Sequence, residues 1–255
     1  MKVFRYAPVV TVVLIFAFAC TTKSDQSLTL EEYQSLGVPD PGKAWQIRDY
    51  TQAWNGLSLV KWRMPHQLPV RDSPKSGVLF SRMLSLEYLS FLEDTTMALH
   101  EKAMQLVEFV RVYDYWMDIY SAPTLKKNHY HREIVALKQF HLHLMESMLH
   151  LANRINASDD PADKALQYGY KSIKGNYLTA LSTFLEMPCL GPPFLTRDLE
   201  TVADSVYASA MRNRSVLDHD EVAVLVRSLQ SATDSTSSKY VRRKYLDLQR
   251  SLKET

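Results

Sequence analysis

Five of the eight histidines in this chain fall in one stretch, at His129, His131, His141, His143 and His150. Clustered imidazoles can ligate a transition metal, move protons near neutral pH, or sit neutral in a core beside a hydrogen-bond partner. His143 and His150 are seven residues apart, two turns along one helical face, with Glu146 adjoining them. His100, on an earlier helical segment, could face His141 or His143 across a helix pair. His100, His141, His143, Glu146 and His150 are therefore the candidate ligand set for a metal ion or a small molecule.

The spacing limits that chemistry. Bundle metal sites of the di-iron kind place Glu and His three residues apart on two helices, whereas here Glu146 and His150 are four apart and the pattern occurs once. His-Glu-x-x-His is absent. The competing expectation is that His141 is a buried neutral imidazole bonded to a tyrosine or carboxylate, with the other histidines at the rim. Neither a resident metal nor a cofactor is expected. Cys189 lies in Met187-Pro188-Cys189-Leu190-Gly191-Pro192-Pro193, too proline-rich for a helix and remote in sequence from any histidine that could activate it, so it reads as a packed loop cysteine. Phosphate loops, Gly-x-Ser-x-Gly elbows and CxxC pairs are missing. The reading leans against an enzyme. Aromatic side chains offer a second kind of chemistry: Tyr113, Tyr115, Trp116 and Tyr120 crowd one segment, with Tyr130 soon after. Amphipathic rings of this kind suit a protein interface or a sugar or lipid cleft, and they suit the packed end of a bundle better.

Few glycines and long runs of Leu, Met, Ala, Glu and Lys predict an all-α body, a helical bundle built on a long antiparallel helix pair with shorter C-terminal helices. Thr29 can cap an opening helix that Gly37 ends. A second short helix carries Trp45, Ile47, Tyr50 and Trp54 and stops at Asn55-Gly56. From 57 to 76, Pro65, Pro69 and Pro74 predict an extended strap over the body. A continuous first long helix is expected over 76–120, in preference to one kinked at Asp94-Thr95-Thr96. The second is marked by Tyr130, Ile134, Leu137, His141, Leu144, Met148, Leu151 and Ile155, a seam of period 3.5 that wants the first as its partner. Asp160 and Pro161 start a third helix, in which Gly169 and Gly175 are most easily explained by a helix passing close. Three shorter helices are expected near 196–213, 218–233 and 237–253, the middle one opened by the capping box of Asp218 and Glu221 and the last with Val241, Tyr245, Leu248 and Leu252 inside. The chain divides into 1–19, 20–28, 29–75, 76–187 and 194–255.

The first of those segments is a leader. Lys2 and Arg5 precede an apolar run, Val9 to Ala19, that is too short for the roughly 20 residues a membrane-spanning helix needs. It ends in Ala17-Phe18-Ala19-Cys20, which resembles the lipobox of bacterial lipoproteins, with Ala17 and Phe18 departing from the usual residues and Ala19 and Cys20 fitting. The resemblance implies removal of the leader and acylation of Cys20, the only covalent group expected. Residues 21–27 then form a polar tether reaching on the order of 25 Å. Thr21 stands where the resemblance would place an inner-membrane retention aspartate, so it implies the outer membrane of the cell envelope.

The chain holds 30 basic and 28 acidic residues, and without Lys2 and Arg5 it is balanced. A neutral body has no field to gather nucleic acid, so none is expected as a partner. One basic cluster, Lys239, Arg242, Arg243 and Lys244, is either a solvated face or a headgroup or partner contact. Together these features predict a lipid-anchored envelope protein that binds or scaffolds another envelope protein. The alternative is a periplasmic small-ligand or metal-binding receptor using the helix at 129–150.

Overall fold

The computed structural model describes residues 25–121, 129–187 and 196–254. Among them the fold is all-α, a bundle in which every main helix contributes to one continuous apolar core. The leader, Cys20 and the turn around Cys189 lie outside the described residues. No helix among those described is long and apolar enough to cross a membrane.

Helix α1 (Leu30–Ser35) opens on a reciprocal cap: the Thr29 amide donates to Glu32 Oε2 at 2.7 Å and the Glu32 amide to Thr29 Oγ1 at 3.3 Å. It closes with Gly37 at φ +88°, where the amides of Gly37 and Val38 return to the carbonyls of Gln34 and Tyr33. Helix α2 (Ile47–Arg63) does not stop at Asn55-Gly56 as expected. Gly56 is instead where α2 crosses the end of α1: a Cβ there would lie 2.8 Å from Val38 and 2.9 Å from the Leu36 carbonyl. The glycine permits contact, and the helix continues through it. The strap accordingly begins only at Met64.

The strap is held by side chains from far along the chain. Tyr130 donates to the Pro65 carbonyl at 3.0 Å and accepts from the Leu68 amide at 3.2 Å. Tyr33 donates to the Gln67 carbonyl at 2.5 Å, and Tyr120 to that of Pro69 at 2.6 Å. Burial pushes these three phenols far above their ordinary pKa, so they remain donors. Further along, the Arg71 amide donates to buried Glu133 at 2.9 Å. Asp25 and Ser27, expected in the tether, belong to the body: Asp25 accepts from Ser27 and from Ser73, and Ser27 meets Ser73 at 2.9 Å.

The expected continuous helix over 76–120 is broken into α3 (Gly77–Met83), a 3₁₀ stretch (Glu87–Glu93) and α4 (Leu99–Tyr120). Tertiary bonds take the backbone groups that continuation would need. The Trp116 indole donates to the Met83 carbonyl at 2.9 Å, and Lys102, almost wholly buried, donates to that of Leu92 at 2.8 Å. Asp94 then captures the Thr96 amide at 2.8 Å and its hydroxyl at 2.7 Å, a local turn that competes with helix.

Helix α5 (His131–Asn156) occupies the centre, packed by α4, by α7 (Tyr170–Leu185) and by α8 (Thr196–Arg212). Its buried residues therefore extend well beyond a single seam, to Val135, Ala136, Phe140, Leu142, Met145 and Leu149. Between α5 and α7, Asp160 caps the single turn of α6 (Pro161–Lys164), accepting from the Ala162 amide at 2.8 Å. Among the described residues, no atom beyond the local chain lies within 4 Å of where a Cβ would sit at Gly169 or Gly175, so the close helix passage expected there is not found among them; nothing in the described structure explains these two glycines. Helices α9 (His219–Ser235) and α10 (Lys239–Lys253) follow as expected. The Asp218–Glu221 capping box is closed at 2.9 and 3.0 Å, and Val241, Tyr245, Leu248 and Leu252 are inside. Tyr245 donates to the Leu185 carbonyl at 3.0 Å and Lys174 reaches Glu221 at 2.7 Å, which joins α8–α10 to the main bundle.

Candidate functional site

The five expected ligand residues do not converge. His100 lies on the first turn of α4, its Nδ1 3.7 Å from buried Asp163 in α6. His141 stacks flat on Tyr113, centroids 3.9 Å apart and planes 6° from parallel, while Lys138 on the same helix stands 5.6 Å over the same ring. Burial and the Lys138 charge lower its pKa to about 4, so it is neutral at physiological pH. The expected neutral imidazole is present, with ring stacking in place of the expected tyrosine or carboxylate bond. His150 is exposed. Among the described residues, no three His, Cys, Asp or Glu side chains are grouped so as to hold a metal ion.

His143 and Glu146 do come together, and the network they enter includes partners that sequence spacing could not reveal. His143 Nδ1 is 3.5 Å from Glu146 Oε2. Arg212, at the end of α8, bonds both carboxylate oxygens at 2.9 and 3.0 Å, and Asn213 Nδ2 adds a contact at 3.3 Å. Behind them Ser209 meets the Tyr177 hydroxyl at 3.0 Å, linking α7. Burial would raise the Glu146 pKa, but bonds from His143 and Ser209 and the charge of Arg212 outweigh it and hold the carboxyl below its ordinary range. With its oxygens taken by these donors, Glu146 is an anchor between α5 and α8 and has little capacity left as a base or ligand.

Two shallow grooves flank this point and share Gln139 and His143. One, about 330 Å³, runs between α3 and α5 past Arg71, Phe80 and Phe140. The other, about 250 Å³, runs between α5 and α8 past Glu146, Asp204, Ser205 and Arg212. Polar groups along the second groove are already partnered: Gln139 donates to Ser205 at 2.9 Å, and Asp204 accepts from Tyr240 and Lys244 of α10, each at 2.8 Å.

The aromatic candidates are core residues rather than a surface. Trp116, Tyr120, Tyr130 and Tyr113 are buried, and only Tyr115 is partly exposed, stacked on Trp54 at 4.8 Å. The polar tips of Trp116, Tyr120 and Tyr130 face backbone carbonyls of the strap and α3, which is why amphipathic rings were needed there. The basic cluster is also largely absorbed. Arg242 closes the end of α9 on the carbonyls of Thr233 and Thr236, at 3.3 and 2.9 Å, and Lys244 holds Asp204.

A third groove, about 680 Å³, was not foreseen because its walls come from three separated segments. Gln26, Ser27 and Leu28 face Arg63 to Gln67 across it, with Glu32 and Lys75 at its edges. His66 there also meets the His129 ring, centroids 4.7 Å apart. Comparison with family models, with curated proteins and with solved structures finds no match for this chain.

Proposed function

We propose that this chain is a bacterial lipoprotein of the cell envelope, acylated at Cys20, whose helical body binds or scaffolds another envelope protein. The observation that carries the reading is the leader: a basic start, an apolar run too short to span a bilayer, and Ala19-Cys20 at its end. The balanced charge of the remaining chain supports it, because a body without net charge has no overall electrostatic pull towards a membrane and would depend on acyl chains for attachment. Two of the candidate groups support a structural role over catalysis, since both oxygens of Glu146 are bonded by Arg212 and the His141 ring is stacked on Tyr113. Thr21 favours the outer membrane.

Intact-mass measurement of the chain purified from membranes tests the anchor: the wild type should carry acyl mass at residue 20 and Cys20→Ser should not. An unmodified wild-type thiol sinks the proposal. Crosslinking in intact cells tests the scaffold role, which predicts one recurrent stoichiometric envelope partner and is refuted if none is recovered from a membrane-bound, correctly lipidated chain.

A further inference from the structure

We propose that the end of the molecule bearing Trp62, Arg63 and Lys75 lies against the bilayer, with the Trp62 indole seated at the lipid interface. This rests on acylation of Cys20. Asp25, the first of the described residues, is tied down at three points: it accepts from the Ser27 amide at 3.0 Å and from the Ser73 hydroxyl, and its carbonyl accepts from Lys75 Nζ at 3.3 Å. Only five residue steps separate it from Cys20, a reach of at most about 17 Å. The headgroup layer takes roughly 6 Å of that.

Helix α5, with 26 residues, is a ruler of about 39 Å for the body. Its N-terminal end adjoins the strap through Tyr130 and Glu133, and Ser73, which holds Asp25, is two residues from the Arg71 bonded to Glu133. At its other end Gln167 donates to the carbonyls of Ile155 and Asn156. A tether less than half as long as α5 keeps the strap end at the membrane and is too short to hold the Gln167 end there in its place; in the proposed orientation that end stands away from the bilayer.

The surface at the strap end has the composition for that position. Trp62 is 77% exposed, on the same face of α2 as Leu59 and next to Arg63. Arg63, His66 and Lys75 share the groove with Gln26 and Ser27, and Glu32, its acidic member, is occupied by the α1 cap. Val78, one turn after Lys75, is also exposed. An exposed indole among cationic side chains is the arrangement that sits at a headgroup boundary, where the ring is half-immersed and the cations meet phosphates. Trp45 and Trp116 are buried and Trp54 is partly covered, so Trp62 is the tryptophan most open to solvent.

The test uses the full lipidated chain in vesicles of phosphatidylethanolamine and phosphatidylglycerol, with and without bromine on the acyl chains. The difference in emission between wild type and Trp62→Phe isolates Trp62. Bromine should quench that signal at least twofold, and acrylamide, which reaches it in the unlipidated Cys20→Ser protein, should lose access. Tyr168, 94% exposed beside Gln167, supplies the control: Tyr168→Trp in the Trp62→Phe background should ignore bromine and remain open to acrylamide. Equal Trp62 emission in both vesicles, or equal quenching at position 168, overturns the orientation. Flotation and intact mass on the same samples separate the causes. A floating, acylated chain with unquenched Trp62 refutes the orientation alone, whereas a chain with a bare thiol that stays in solution refutes the anchor and the orientation together.

Discussion

Residues 25–93 and the three C-terminal helices face the same physical demand, satisfying the backbone groups left over where helices end, and meet it differently. In α8–α10 the partners are near neighbours: Asp218 with Glu221, Ser238 at the start of α10, and Arg242 on the carbonyls of Thr233 and Thr236. In the N-terminal region the carbonyls of Pro65, Gln67, Pro69, Met83 and Leu92 are taken by Tyr130, Tyr33, Tyr120, Trp116 and Lys102, of which all but Lys102 lie more than thirty residues away in the chain. The C-terminal helices are specified locally and the N-terminal region by tertiary contact. A substitution that breaks one of the distant contacts holding the N-terminal region should therefore do more damage than one at a local cap of the C-terminal helices.

Trp116→Ala is the strongest way to break that contrast. The indole is fully buried, and its loss removes about 3–5 kcal/mol of packing and leaves the Met83 carbonyl unbonded. Urea unfolding should register a loss of that size. Trp116→Phe, which keeps most of the ring volume, should cost about 1–2 kcal/mol. If alanine costs no more than an exposed cap does, the N-terminal region is not held as described.

Gly56→Ala probes the same region through backbone approach. Its methyl would meet the Leu36 carbonyl at 2.9 Å as well as Val38, and a carbonyl cannot swing aside as a side-chain tip can. A loss of about 1–3 kcal/mol is expected from the forced separation of α1 and α2, and a neutral result in the same urea assay would show that the crossing is loose.

These two residues also show what could be read in advance. Caps such as Thr29–Glu32 and Asp218–Glu221, and the apolar face of α10, follow from residues three or four apart, and they were legible. Gly56 was not, because Asn-Gly usually marks a turn and only the neighbouring chain reveals that the glycine is a contact point. The break after Met83 was hidden for the same reason: Ser76 to Tyr120 has helical periodicity throughout, and the competing bonds come from Trp116 and Lys102 on a later helix. At the candidate site, the His143–Glu146 spacing was visible, whereas Arg212 and Asn213, which decide the carboxylate's state, lie more than sixty residues on.

His141 sets a pH test at the centre of the bundle, outside both regions, because it stacks on α4 from the central helix. Its folded-state pKa of about 4 lies below the 6.5 of a free imidazole, the shift coming from burial and from Lys138. On acidification the unfolded chain therefore takes up its proton first. The stability contributed by the neutral ring is complete above pH 6.5 and is lost as pH falls towards 4. In His141→Phe, which retains a ring against Tyr113, the fall of the urea midpoint between about pH 7 and about pH 4.5 should be shallower than in wild type. Parallel curves would show that this imidazole is not responsible for the slope.

Asp218→Ala addresses the locally specified region. It removes the acceptor of the Glu221 amide at the α9 N-terminus and one of the two carboxylates near Lys174, whose partner Glu221 remains at 2.7 Å. A cost of about 1 kcal/mol is expected, well under that of Trp116→Ala. An equal cost would mean that α9 depends on tertiary support as much as α3 does, and the contrast between the regions would fail.

Gly175→Ala carries the smallest effect and the opposite sign. Gly175 lies inside α7, and among the described residues nothing beyond its own helix comes within 4 Å of the position a Cβ would occupy, so an alanine there meets no obstacle from them. Glycine at a helix interior costs roughly 0.5–1 kcal/mol relative to alanine, through the greater conformational freedom it loses on folding. The variant should gain about that much in urea unfolding, where Gly56→Ala loses. One substitution made at two helical glycines then separates a residue kept for close approach from one that is not. A loss at Gly175 would instead reveal that another surface comes against α7 when the protein is assembled, which in a scaffold would locate part of its partner's footprint.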